Sequence, residues 1–475
     1  MEQIVPDFLL CLKGTNSLAE AEKQFMIQAD HWLCDLVSTQ LESLDDEMFK
    51  ASDDQCLRKD QRNLQCVFGN VRFFRRLVNT ADGSHVYPLD AAMGLLPMRR
   101  YSPHLSQLIA QIASTSTMRA TANAVSTLTM ASISFQAVDN VVRQVGQDIR
   151  DVRQAETNNE DCWPDIKPKA LPELFVEADA YEVKQKGGKG KRLLVHRFQV
   201  YEGVMVNGKR HILINRHVNS NLSRHVALKE MEVYLLQHYD MKHATVFSGS
   251  DNGSGYEPEV FTDLTAGAAQ HVHVLDRFHL NQKIKQRLSF APDAQQLQDP
   301  LRKALYRNDW ERVDELLTTA DSIATGGQPE DAKANHSEVQ ALQAYLYRNK
   351  ASIEPLANPQ WTKQVRSLGC CESNHRRYTY RTKKQGRSWS PDGLAAMLRI
   401  IDCEQNRNLE ATLKETEMLG LTIAPELKAA AGKVSRQFIK PDHEGAVHGT
   451  IFNDGPTSSP LGRFAQSLSD SSILF

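Results

Sequence analysis

No run of about 18 apolar residues occurs anywhere in the chain, so no membrane-spanning helix is expected. The opening MEQIVPDFLLCLKG lacks a basic leading region, and its apolar stretch is too short for a secretory signal. The eight cysteines (Cys11, Cys34, Cys56, Cys66, Cys162, Cys370, Cys371 and Cys403) are scattered without a CxxC pair. That argues against a disulfide framework and fits reduced thiols in a cytoplasm. An excess of basic charge is also missing. Lys+Arg is 56 and Asp+Glu is 58, a net charge of −2, unlike a small basic nucleic-acid-binding protein. What remains is ordinary for a folded protein: 41% hydrophobic and 24% charged residues in a chain of 475, long enough for about three domains.

The near-neutral sum hides a segregation of charge. Residues 1–57 hold twelve acidic and three basic side chains, a local charge of −9. Residues 58–100 hold eight basic and three acidic, or +5, and residues 366–387 seven basic and one acidic, or +6. Screening cuts interactions off beyond roughly 10 Å in 0.1 M salt, so a polyanion meets these local fields and not the total. Solvated surface charge is the plain alternative.

The pattern along the chain divides it. Residues 1–57 read as an acidic helical region and 58–100 as a basic segment with a β-hairpin over 64–78, turning at Gly69–Asn70. Residues 101–153 read as three helices. Ser102–Pro103 opens the first, the second covers about 117–128, and the third begins near Ser134. Two short helices with a tight break before a longer one is a helix-turn-helix pattern, though a plain three-helix bundle has the same signature. A polar linker follows at 154–172. Strands are expected at 174–183, 192–204, 209–218, 244–251 and 271–276, with helices at 222–238, near 257–266 and from Arg277. Three strands at hairpin spacing, then alternating β and α, is the order of a ribonuclease H-like mixed sheet. This α/β core spans 173–289 and 361–420, interrupted by an all-α insertion at 290–360. A last helix covers about 390–418, and the tail 421–475 is rich in Gly, Ser and Pro toward its end.

Three acids stand out. Asp179 lies mid-strand in FVEADAYEV, where a carboxylate is costly unless paired or bound to a cation, and Glu177 shares its face. Asp251 follows the fourth strand in FSGSDNGSGY, where ligands gather outside the ends of parallel strands. Glu372 is the lone acid in the basic stretch GCCESNHRRYTY. Each alone reads equally as an exposed acid, a turn or a surface ion pair. Together, three carboxylates at one end of a sheet suit two hard divalent cations, Mg²⁺ or Mn²⁺, that clamp a phosphoryl displacement. Asp276 and His279, in LDRFHL, read as a helix cap with a neighbouring imidazole. Trp389 could stack on an unpaired base, but a core tryptophan is the simpler reading. His271, His273, His279, Cys370, Cys371 and His375 lack zinc-ligand spacing.

Five stretches, in order from about Tyr87 to Ile401, carry a family resemblance: YPLDAAMGLLPMRRYSPHL, LFVEADAYEV, VFSGSDNGSGY, VLDRFHLNQKI and ESNHRRYTYRTKKQGRSWSPDGLAAMLR. The sequence resembles bacterial insertion-sequence transposases of the ISLre type, relatives of the Mutator-like DDE transposases. The resemblance implies a triad of Asp179, Asp251 and Glu372 holding two metal ions, with Asp276 and His279 in support. It implies metal-dependent cleavage at element ends and joining of the freed 3′-hydroxyl to target DNA. The motif at the second acid, Gly249-Ser250-Asp251-Asn252-Gly253, is one residue looser than the Gly-Asp-Gly of relatives. The partners implied are double-stranded DNA (terminal inverted repeats and target) and at least a second copy of the chain, in the cytoplasm on the nucleoid. No membrane partner is expected. The third helix would then enter the major groove, with Ser134, Gln136, Asn140 and Arg143 toward bases. Arg72, Arg75, Arg76, Arg99, Arg100, Arg376, Arg377, Arg381, Lys383 and Lys384 would meet phosphates. A non-catalytic DNA-binding derivative, and a nuclease that cuts without joining, are the alternatives.

Overall fold

The computed structural model describes residues 6–80, 83–188, 190–208, 210–326, 329–384, 386–416 and 425–439; of residues 210–211, 329–330, 372–373 and 436–439 it describes the backbone alone. The part of the tail after 439 thus lies outside the described residues. The chain divides into two units, one of Leu36–Arg62, Phe73–Met93 and Ile423–Phe475, the other holding the remainder up to Thr422.

In the smaller unit, the acidic block and the basic segment prove to be partners. The acidic region forms a long helix, α1 (Leu18–Lys50), which belongs to this unit from Leu36 on, and the basic segment two hydrogen-bonded strands, β1 (Gln55–Cys66) and β2 (Gly69–Asn79), which belong to it up to Arg62 and from Phe73. The turn between the strands falls at Val67–Phe68, ahead of the expected Gly69–Asn70. Arg76 of β2 donates to Asp45 at 2.5 Å and to Asp46 at 2.6 Å, both on α1. The buried Asp90 takes Arg62 at 2.6 Å and Arg75 at 2.7 Å. Paired burial of this kind satisfies charges that would be costly alone.

The larger unit is a mixed α/β structure. From Gly94 on, three helices come first: α2 (Pro103–Thr115), α3 (Met118–Leu128) and α4 (Phe135–Asn158). Ser102, Thr117 and Ser134 cap them, each hydroxyl accepting a backbone N–H three residues on. A five-stranded sheet follows, made of β3 (Glu173–Lys184), β4 (Arg192–Tyr201) and β5 (His217–Asn221), then helix α5 (Arg224–His238), then β6 (Thr245–Ser250) and β7 (Gln270–Leu275). In space the order is β7-β6-β3-β4-β5. The β3–β4 and β4–β5 pairs are antiparallel; β3–β6 and β6–β7 are parallel. The third strand differs from the expected 209–218. Asn215, at φ +47°, breaks that run, so Gly203–Asn207 and Arg210–Ile214 form their own hairpin and the sheet strand starts at His217.

Beyond the sheet come α6 (Arg277–Arg287) and then the all-helical stretch expected as an insertion: α7 (Ala294–Leu305), α8 (Trp310–Thr325) and α9 (Pro329–Arg348). Their apolar faces close one core with Leu280 and Ile284 of α6. The chain returns through α10 (Cys370–Thr382) and α11 (Pro391–Asn406). The final helix is shorter than expected because Arg407 turns left-handed at φ +58°. On α11, Leu394, Met397, Leu398 and Ile401 are buried as their spacing requires. They join Val138, Val141, Val142 and Val145 of α4 and Tyr181 and Val183 of β3 in one cluster. The three early helices therefore share the core of the sheet. Trp389 is buried in the same cluster and donates Nε1–H to the Thr382 carbonyl at 2.9 Å, the simpler of its two readings.

Candidate active site

Strand alternation sorts β3 into two faces. Leu174, Val176 and Ala178 pack under α5 with Phe198 and Val200, while Glu177 and Asp179 lie on the other face. Register then aligns the acids. The last pairs are Gly249 beside Glu177, and Ser250 beside Leu275. Continuing those ladders puts Asp251 beside Asp179 on one side and beside Asp276 on the other. Asp251 and Asp276 thus follow the ends of two parallel strands, the location favoured for ligands in such sheets, and Asp179 lies midway along the neighbouring β3.

Helix α10, which carries Glu372, is fastened over this row by two side chains of β3. Glu177, only 2% exposed, replaces a conventional cap. Its Oε1 accepts the backbone N–H groups of Gly369 and, at 3.1 Å, Cys370. Gly369 enters the helix at φ +89°, a left-handed conformation suited to glycine. Burial pushes the Glu177 carboxyl up to about 7, against the pull of these N–H groups and of Gln199. Behind it, Gln199 donates to Glu177 at 2.5 Å, and the fully buried Arg197 donates to Gln199 at 2.6 Å and to the Cys371 carbonyl at 3.0 Å. Arg197 also lies over the Tyr378 ring, 4.9 Å from its centroid.

Asp179 is the second fastening. Its Oδ2 lies 3.0 Å from Nε2 of the buried His375, and its Oδ1 accepts the Ala180 N–H at 2.7 Å. A carboxylate only accepts, so the proton is assigned to Nε2; Nδ1 is buried with no partner among the described residues. Burial, the largest single effect, raises the Asp179 carboxyl, but the hydrogen bond and charge of His375, the Ala180 N–H and the charge of His279 together leave it below the ordinary carboxylate range. Asp251 is fixed by the Gly253 N–H at 2.8 Å. Its neighbour Asn252, at φ +53°, is held by His273 at 2.7 Å and by Asn349 and Ser352 at 2.9 and 3.0 Å. Asp276 caps α6 as expected, accepting from Phe278 and His279. The Asp276 carboxylate, 3.6 Å from the ring of His279, with Asp179 and Asp251 adding to it, lifts that imidazole to about 9.

The donor set is all oxygen, the chemistry of a hard divalent cation. Among the described residues, Oδ2 of Asp251 and of Asp276 accepts no hydrogen bond. Among them, too, no three His, Cys, Asp or Glu side chains are grouped closely enough to hold a metal ion. The Glu372 side chain lies outside the described atoms; its backbone occupies the first turn of α10.

A protein-family model matches residues 12–417, covering both the aspartate row and the helix docked on it. The chain belongs to the uncharacterised protein family UPF0236. It is similar to the "UPF0236 protein in vanSb 3'region" of Streptococcus gallolyticus, with 28% identity over 97% of this chain and 98% of that one.

The UPF0236 chain distributes the residues expected to face DNA unevenly. Gln136 and Asn140 are exposed on α4, and Ser134 is exposed at its cap. Arg72, Arg100, Arg376, Arg377, Lys383 and Lys384 are exposed as well, Arg377 donating to Gln405 at 2.7 Å. Others are committed inward. Arg75 and Arg76 serve the carboxylates of the smaller unit, and Arg99 bonds Asp148 at 2.8 Å. Arg143 pairs with Asp139 at 2.8 Å and reaches Ser390 at 3.1 Å. Arg381 is not the exposed residue expected: it is 2% exposed and donates to the Ala113 carbonyl at 2.7 Å, because α10 lays its last turn against α2. Sequence reasoning also missed His375 and left Glu177 without a role. Their signals were a histidine three residues beyond Glu372 and an acid two residues before Asp179.

Proposed function

We propose that this protein is a DDE-type transposase with a ribonuclease H-like catalytic core. The observation that carries the reading is the parallel register of β6 on β3, which ends at Gly249 beside Glu177 and leads Asp251 toward Asp179, with the Glu372 helix fastened to the same strand β3. The strand order, three antiparallel then two parallel on the other flank of β3, supports it, as do the five ordered stretches of resemblance. Asp179, Asp251 and Glu372 would hold the Mg²⁺ or Mn²⁺ ions. Bound there, two such ions supply Lewis-acid stabilisation of the attacking and leaving oxygens. His375 keeps Asp179 ionised and oriented. Glu177 fixes the depth at which α10 presents Glu372. Asn252 ties the Asp251 loop to the helical insertion.

In the first step water attacks a phosphodiester at an element end, the P–O bond to the 3′ oxygen breaks, and that oxygen leaves as a hydroxyl. In the second, the 3′-hydroxyl gives up its proton and attacks a target phosphodiester, whose own 3′ oxygen leaves. No bond forms between protein and DNA.

The test uses purified protein and DNA carrying the sequences that flank its gene. Asp179→Ala, Asp251→Ala and Glu372→Ala are each expected to abolish Mg²⁺-dependent cleavage while retaining DNA binding. His375→Ala is expected to lower cleavage by about 10–100-fold at fixed metal, with the loss shrinking as metal is raised. Undiminished cleavage in any triad variant overturns the assignment. Cleavage without joined products leaves a nuclease, and binding without cleavage a non-catalytic DNA-binding protein.

A further inference from the structure

A cleft of about 470 Å³ opens in the larger unit between the first turns of α3 and α4 and the loop from α10 to α11. Arg143, Lys186, Arg381 and Arg387 line it against one acid among the described lining residues, Asp139, and that acid is taken by Arg143. Lys186 is exposed and has no carboxylate within ion-pair reach among the described residues. Arg381 is the telling group. It is buried, yet its donors go to neutral acceptors, the Ala113 carbonyl and the Met118 sulfur, and its guanidinium lies 4.7 Å from the Trp389 ring centroid. A buried charge without a counter-charge is unfavourable. Arg387 adds a like charge beside it, donating to the Arg381 carbonyl at 2.6 Å. Burial first, and Arg387 second, hold the Arg381 guanidinium down to about 10. The positive ends of α3 and α4 open on the same space. Arg381, buried without a carboxylate partner, and Lys186 give the cleft a positive character suited to an anion.

We infer that this cleft seats a phosphodiester group of a DNA strand, with Lys186 and Arg387 at its rim and Arg381 at its floor. The identity of the strand as DNA rests on the transposase reading; the anion site does not. Neither rim residue belongs to the triad or its supports, so changing them should leave the metal site intact.

The experiment takes the full chain and its Lys186→Gln and Arg387→Gln variants. Anisotropy follows a duplex oligonucleotide across a salt series, and thermal melting follows inorganic phosphate. Each variant is expected to weaken duplex binding equally for all sequences and to reduce the log–log salt slope by about one. Phosphate is expected to raise the melting temperature of the parent and not of the variants. Arg387 also bonds backbone carbonyls, so if its variant fails to fold, Lys186→Gln decides alone. Unchanged salt slopes with phosphate protection retained overturn the cleft while leaving the transposase reading standing. Phosphate protection lost in the variants, in a parent that binds no DNA, upholds the anion site and overturns that reading.

Discussion

At the scale of single residues, the site is governed by where charge is tolerated. Asp179 stays ionised because His375 shares its burial, whereas Glu177, two residues earlier, is more deeply buried and titrates near neutrality. His279 is the complement, a histidine held positive by the surrounding aspartates. Its folded value of about 9 lies above the ordinary 6.5. It therefore contributes stability that is fully present below about pH 6.5 and is lost as pH rises through about 9. The shift sets an upper bound of about 3–4 kcal/mol on that contribution, which solvent screening reduces. Urea unfolding at about pH 6 and pH 10 should show the protein losing midpoint concentration, and His279→Asn should flatten that loss. A midpoint that falls equally in both would remove His279 from the cause.

At the scale of elements, α4 and α11 approach closely at Gly146. A Cβ added at Gly146 would meet the Ala396 Cα and Cβ at 2.5 Å. Gly146→Ala should therefore destabilise by about 1–3 kcal/mol, although alanine alone favours a helix by about 1. A drop in melting temperature checks it; a rise would mean that the helices can part cheaply. Much of this level was legible in the sequence. Hydroxyl caps marked the starts of α2, α3 and α4, and apolar spacing marked the buried face of α11. The strand sequence around Asp179 and the small residues after β6 marked two acids that the sheet register leads toward each other. What was not legible depends on distant pairing. Nothing local in Glu177 says that it will cap a helix almost two hundred residues on. Nothing local in Arg76 or Arg381 distinguishes a guanidinium facing DNA from one facing a carboxylate or a carbonyl. The 209–218 run looked like one strand because alternation is blind to the left-handed residue at Asn215.

At the scale of the whole molecule, the segregated charges divide into two populations. Part of the acidic block, the buried Asp45 and the half-exposed Asp46, is answered within the smaller unit by Arg76. The basic charge that remains outward gathers on the larger unit, on α10 and at the cleft beside it. A near-neutral sum is thus no obstacle to a DNA partner. On the transposase proposal, both ends of an element must be brought together before joining, so the protein on DNA carrying two ends is expected to sediment as at least a dimer; a monomer bound to each end would contradict that proposal. The buried line from Arg197 through Gln199 to Glu177 has a last consequence, for how this family can change. Replacing one of the three strands the others in an apolar interior, while replacing all three with fitted hydrocarbons does not. These positions should therefore pass between relatives as a single inherited character, kept together or lost together.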